Sequence, residues 1–351
     1  MKRIFGLLTL LLGLGSAAFA SAQTTPQAAC APEGQAQYLC GMANVEDMVL
    51  APGGKWIVAS SMTSADAPVG HLYAIDAAAR TFKAIAPVLS HRAQPVYAGC
   101  PGPPDLSRFA PHGLGLRPGA GRSTLYVVNH GGREAIEVFW LTSGAGGPAL
   151  RWVGCALLPD KGSGNGVAPL AGGGFVASKF EEAGDPKAFD KMAAGETTGA
   201  VYAWAPGRGF RKLPMSDLSG ANGVEASKDG RWILVNAWPE GKVVRFAVDG
   251  SSRPVSVATD FLPDNLRQAP DGEIFVAGQA SDMKTLLSCK EPRCPHAWAV
   301  SRLDPETMTL TPVVRIPGTD AFSDATSALQ VGQDLWIGTY RGDRVAVVPV
   351  R

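Results

Sequence analysis

Glu46, Asn165, Asn222 and the adjacent pair Asp264 and Asn265 each open a short apolar run of this sequence. If those runs begin at one place in the fold, two carboxylates and three carboxamides converge with their oxygens. Oxygen donors without Cys or His suit a hard divalent cation. Calcium, which takes ~6–8 oxygens including Asn carbonyls and waters, fits this set best, with Mg²⁺ and Mn²⁺ as smaller alternatives. Zinc prefers nitrogen or sulfur donors and fits poorly. His112 and His130 stand at the start and finish of one predicted hairpin. An antiparallel hairpin returns to the end where it began, so both imidazoles belong at the same end as the oxygen set. Histidine changes protonation near neutral pH and suits a general base. His71, His91 and His296 lack this placement and are expected to be structural or on the surface. Lys179, Gln279 and Thr326, at strand ends in three different runs, are candidate substrate contacts.

A repeated unit explains how such distant residues meet. Its copies read Glu46-Asp47-MVLAPGGKWIVASS, His112-GLGLRPGAGRSTLYVVNH, Asn165-GVAPLAGGGFVASKF, Asn222-GVEASKDGRWILVNAW, Asp264-Asn265-LRQAPDGEIFVAGQ and Thr326-SALQVGQDLWIGTY. A third apolar strand follows most of them. The runs are short, rich in β-branched and aromatic residues, and broken by Gly, Pro, Asp and Asn, which is strand rather than helix chemistry. The Asp-Gly steps in KDGRW and PDGEI are hairpin turns, because Gly tolerates the positive φ that tight turns require. Antiparallel units of ~40–50 residues are the signature of a propeller. A single unit cannot bury both faces, so neighbours stack around a channel. The expectation is an all-β, six-bladed β-propeller over residues 23–351 as a single domain. A β-sandwich would give no reason for a polar residue to recur before the first strand of each unit. The stretch 181–198, EEAGDPKAFDKMAAGETT, interrupts the third unit and reads as a surface loop, or else as a cover over the channel mouth.

Residues 1–22 read as a signal peptide. Lys2 and Arg3 precede an apolar run from Ile4 to Leu14, too short to span a bilayer, and small residues follow. The expected product is exported, periplasmic or secreted, without stable membrane insertion. Loss of Lys2 and Arg3 takes the formal charge from +1 to −1. With no basic stripe, nucleic acid is excluded as a partner. Cys30, Cys40, Cys100, Cys155, Cys289 and Cys294 suit an oxidising compartment and do not have zinc-site spacing. Cys289 and Cys294 flank a short loop and are expected to pair. Cys30 with Cys40, and Cys100 with Cys155, would complete the set, although spacing alone leaves other connectivities open.

The chain resembles the paraoxonase/arylesterase family of calcium-dependent six-bladed propellers. The resemblance is carried by Glu46-Asp47-Met48, Phe109-Ala110-Pro111-His112-Gly113, Val127-Val128-Asn129-His130, Ala221-Asn222-Gly223 and Asp264-Asn265. It implies a catalytic calcium on Glu46, Asn165, Asn222, Asp264 and Asn265, and a histidine dyad of His112 and His130. It also implies hydrolysis of small-molecule lactones, with aryl esters or phosphotriesters as side substrates. The sequence departs from the family at several places. Gly166 stands where the family carries an acid for a second, structural calcium, leaving Asp47 alone for that ion. Gln279 replaces a pocket histidine, and Phe180-Glu181 replaces an Asp-His step. The family's disulfide between chain ends has no C-terminal Cys here. The related gluconolactonase group, which acts on sugar lactones, reads the same blade starts without needing the dyad. A noncatalytic calcium-bound propeller that binds a ligand or protein is the reading from another class. The strictosidine-synthase-like branch shares the propeller, but no residue here points to its condensation chemistry. No Gly-x-Ser-x-Gly nucleophile elbow is present.

Overall fold

The computed structural model describes residues 31–289 and 294–350. The expected signal peptide and Cys30, with its expected bond to Cys40, lie outside these residues. The described chain is all-β, folded as six four-stranded antiparallel sheets. Their innermost strands are Val45–Leu50, Pro111–Arg117, Gly162–Pro169, Ala221–Ala226, Leu262–Gln268 and Ala325–Val331. Each packs against the next, and the last packs against the first, which closes a six-bladed β-propeller. Blades 1 to 6 are named here in that order. Apolar side chains between neighbouring blades form separate buried clusters around the ring, such as Leu114, Leu125, Phe139 and Trp152 beside Val49 and Val58. Stacking of this kind buries both faces of every sheet.

Blade 6 is closed by the start of the described chain. Its order runs from Ala325–Val331 at the channel through Asp334–Thr339 and Arg344–Pro349 to Gln37–Cys40 at the rim. Gln37 pairs with Val347 and Cys40 with Arg344. Backbone pairing thus joins the two ends, where the family resemblance would have placed a disulfide. Disulfides join Cys100 to Cys155 and Cys289 to Cys294, with Cα separations of 5.1 and 6.1 Å. The first fixes the loop before blade 2 to its outermost strand, Gly147–Leu157. Among the described residues, no helix is long and apolar enough to cross a membrane.

The same irregularity marks all six inner strands. The hydrogen-bonded register skips between Val45 and Asp47, Pro111 and Leu114, Gly164 and Val167, Ala221 and Val224, Pro263 and Leu266, and Ala325 and Ala328. The skipped positions include Glu46, His112, Asn165, Asn222, Asp264, Asn265 and Thr326. A bulge takes residues out of the ladder and re-aims their side chains. Here it does so once per blade at one end of the channel. Gly166 belongs to this geometry, because a Cβ there would collide with the backbone of Gly223 and Val224. Neighbouring inner strands approach too closely at that point for any side chain.

Candidate functional site

Hydrogen bonds within and between blades hold the bulged residues in place. Thr326 Oγ1 donates to the Glu46 carbonyl at 2.6 Å. Asn236 Nδ2 donates to the Asp264 carbonyl at 2.6 Å, and Gln279 Nε2 donates to Asp264 Oδ2 at 2.8 Å. Ser178 accepts from the Gly166 amide at 2.8 Å and donates to the Asn222 carbonyl. Asn265 Nδ2 donates to Glu46 Oε1. All five oxygen-bearing residues are buried, with Glu46 at 1% and Asn265 at 2% relative exposure. Glu46, Asn165, Asn222, Asp264 and Thr326 line one cavity of about 540 Å³.

The donor set fits a cation. Glu46 Oε2, Asn165 Oδ1 and Asn222 Oδ1 are buried and have no hydrogen-bond partner. Leaving a buried acceptor unpaired costs ~1–3 kcal/mol, so three at one channel end need an explanation. Burial, and after it the Glu46 carboxylate, pushes Asp264 well above the usual carboxylate range. Unpaired oxygens and two facing carboxylates are the environment a hard cation relieves. Among the described residues no three His, Cys, Asp or Glu side chains form a metal cluster, so an ion here would depend on amide oxygens as well.

The place that Asp47 would offer to a second ion is taken. The Arg267 guanidinium donates to Asp47, and also to the carbonyls of Met48 at 2.8 Å, Leu266 at 2.9 Å and Leu114 at 2.7 Å. It also lies 3.7 Å from Glu225. Arg267 is itself 6% exposed, a cation supplied by the chain. With Gly166 unable to carry a side chain, the residues do not fit a second, structural calcium.

The histidines meet at the cavity wall. His112 Nδ1 lies 2.9 Å from His130 Nε2, and His130 Nδ1 lies 2.9 Å from Glu134 Oε2. His112 Nε2 faces the oxygen set, 3.6 Å from Glu46 Oε1 and 3.4 Å from Asn165 Nδ2. His112 is raised above its usual range: burial works against the charged ring, and Glu46, then Asp264 and Asp47, outweigh it. Asn129 shapes the turn that presents His130, accepting from the Ala110 and Gly131 amides at 3.0 Å.

The candidate substrate contacts divide. Thr326 is in the cavity lining. Gln279 lies fully buried behind Asp264, where its amide nitrogen donates to Asp264 and its oxygen accepts from Trp238 Nε1 at 2.9 Å. Lys179 donates to the Asp160 carbonyl at 3.2 Å and is not in the lining. His296, expected to be structural or on the surface, bonds through Nδ1 to Asp324 Oδ1 at 2.8 Å.

The stretch 181–198 contributes to the cavity mouth. It carries α1, Ala188–Ala193, whose Ala188 and Met192 pack with Trp238, Leu262 and Leu286. Leu286 belongs to α2, Met283–Ser288. Phe180, Phe189 and Trp238 meet with ring centroids 5.9–6.2 Å apart, giving an apolar wall to the cavity that the histidines also line. Sequence reasoning missed Glu134 and Trp238. Glu134 lies outside the repeated units, whereas Trp238 ends the fourth copy in the place that His130 takes in the second, a signal that could have put it at the mouth.

Glu181 is a further acid in the lining, with one buried oxygen unpaired. Burial first, then Asp185 and Glu134, raises it from 4.5 to about 7. The folded state therefore holds this proton more tightly than the unfolded chain does. Its contribution to stability is complete below pH 4.5 and is lost as pH rises to about 7. Glu181→Gln should raise the thermal midpoint at pH 8 by about 2 °C and leave it unchanged at pH 4. Equal midpoints at pH 8 would contradict this account.

No protein-family model matches the chain. Strictosidine synthase-like 11 of Arabidopsis thaliana is 27% identical over 185 residues, which are 50% of this chain and 52% of that protein. The chain thus spans about half the length of the curated relative it matches. Solved structures match over most of its length. A gluconolactonase from Xanthomonas campestris superposes with a TM-score of 0.55 at 16% identity, covering 90% of this chain and 89% of the other. Regucalcin from Agrobacterium tumefaciens, described as a calcium-binding protein, gives 0.54 at 13% identity, covering 89% and 92%. At such identities the likeness speaks for the shared fold.

Proposed function

We propose that this chain is an exported, calcium-dependent hydrolase of lactones, with aryl esters as further substrates, of the paraoxonase/arylesterase kind. The observation that carries the reading is the set of three unpaired buried oxygens, on Glu46, Asn165 and Asn222, beside His112. Glu46, Asn165, Asn222, Asp264 and Asn265 would hold the ion. When bound, a divalent cation supplies the positive charge that stabilises an oxyanion developing on the ester carbonyl. The chain's own residues do the rest. His112 Nε2 takes a proton from water as its oxygen bonds to the carbonyl carbon. The ring C–O bond then breaks, and the same proton passes to the departing alkoxide, giving a hydroxy acid. Phe180, Phe189 and Trp238 offer an apolar surface for the rest of the substrate and help keep bulk water out.

A second reading, a sugar-lactonase, is favoured by the solved gluconolactonases of the same fold. The apolar wall argues against it, because a polyhydroxylated lactone would leave hydroxyls against aromatic rings. The test is turnover of aliphatic lactones, phenyl acetate and gluconolactone by the purified protein, with calcium and after chelation. Turnover of aliphatic lactones that disappears on chelation and returns with calcium is the expected result. Full activity in folded, metal-free protein would remove the ion from the reaction. A preference for gluconolactone would favour the second reading, and calcium binding without turnover of any ester would favour a binding propeller.

A further inference from the structure

We propose that Glu134 is a positioning residue that sets the tautomers of both histidines, so that His112 presents a bare Nε2 to the cavity. The inference rests on the reading of His112 as general base. Glu134 holds His130 Nδ1 between its two oxygens, at 3.0 and 2.9 Å. A carboxylate only accepts, so His130 Nδ1 carries the proton. A neutral imidazole has one N–H, which leaves His130 Nε2 as an acceptor. Its partner at 2.9 Å, His112 Nδ1, must therefore donate. In the neutral ring, the form that can act as a base, His112 Nε2 is then unprotonated, and the Asn165 amide nitrogen, a donor, faces it at 3.4 Å.

The opposite arrangement is available to the same pair. His130 Nε2–H would donate to His112 Nδ1, and His112 Nε2–H would point at Glu46. Glu46 favours that direction, but from 3.6 Å, beyond a good hydrogen bond, whereas Glu134 acts from 2.9 Å. The shorter contact decides which way the pair is oriented. Glu134 is itself fixed by the Gly164 amide, which donates to Oε2 at 3.2 Å from the residue next to Asn165. The carboxylate lies in the cavity lining and reaches the reacting end of His112 through two imidazoles. A residue of this kind orients a ring and fixes its basicity from outside.

The test is Glu134→Gln in the full, calcium-loaded chain, with ¹⁵N-labelled histidine. The Gly164 amide keeps the new amide oxygen, so its NH₂ is turned toward His130 Nδ1 and the pair reverses. Long-range ¹H–¹⁵N spectra should show His112 protonated at Nδ1 in the native protein and at Nε2 in the variant. The turnover number should fall by about 10–100-fold with KM unchanged, and Glu134→Asp should restore much of it. Calcium affinity should be the same in all three proteins. An unchanged tautomer and an unchanged turnover number in folded Glu134→Gln would overturn the assignment while leaving His112 as base intact. If the native protein turns over no ester, the hydrolase reading fails and the spectra alone decide the role of Glu134.

Discussion

Arg267→Met is expected to lower the unfolding free energy by about 3–5 kcal/mol, the range for removing one partner of a buried ion pair. Methionine has a similar reach and fills similar space, so the loss is chiefly that of the guanidinium. That group bonds Asp47 and the carbonyls of Met48, Leu114 and Leu266. These acceptors belong to blades 1, 2 and 5, so a single side chain ties three blades together inside the channel. Without it the Asp47 carboxylate, fully buried, keeps the amides of Met48 and Leu114 and loses its cation. Burial already raises Asp47, and Arg267 is the largest opposing influence. Arg267→Lys retains a charge without the planar fork and should fall between native and Met. Chemical denaturation checks the series, and a loss below about 1 kcal/mol for Met would place Arg267 with ordinary surface pairs. The same geometry makes calorimetric titration a sharp measurement. The native chain should bind one calcium ion, because Arg267 occupies the place of a second.

The other large effect is on chemistry. His112→Gln should reduce the turnover number by about 10²–10⁴-fold, the usual contribution of a positioned general base. Glutamine can still hydrogen-bond to His130 and fills most of the space, so the cavity should persist. The five oxygen-bearing residues are untouched, and calcium affinity should change little. That separation matters, because loss of the ion would also abolish turnover. Undiminished activity in the variant would remove the base assignment. His130→Gln should cost less, since His130 acts on water only through His112.

The six-fold unit was legible because its marks are local: Asp-Gly turns, β-branched strands and a polar residue at the same place in each copy. Those equal places are what put Glu46, Asn165, Asn222 and Asp264 on one list. The fourth strand of blade 6 was not legible, because Gln37–Cys40 is four residues long and pairs with Arg344–Pro349 across nearly the whole chain. The 181–198 stretch has loop composition, yet Ala188 and Met192 find apolar partners on two other blades. Glu134 and Arg267 look in sequence like any charged residue beside a strand. Gln279 stands in sequence at a family pocket position, and only its contacts show it buried behind Asp264.

The ring of oxygen-bearing residues and the two histidines were therefore determined by the sequence itself, since repetition encodes equivalence without any knowledge of distance. Tertiary structure alone decided which of those oxygens remain unpaired, and that Arg267 rather than a second ion answers Asp47. It also decided that Glu134 stands behind the histidines. Hydrogen-bond satisfaction is a property of three-dimensional neighbours. Residues separated by 220 positions, such as Asp47 and Arg267, acquire it only when the propeller closes.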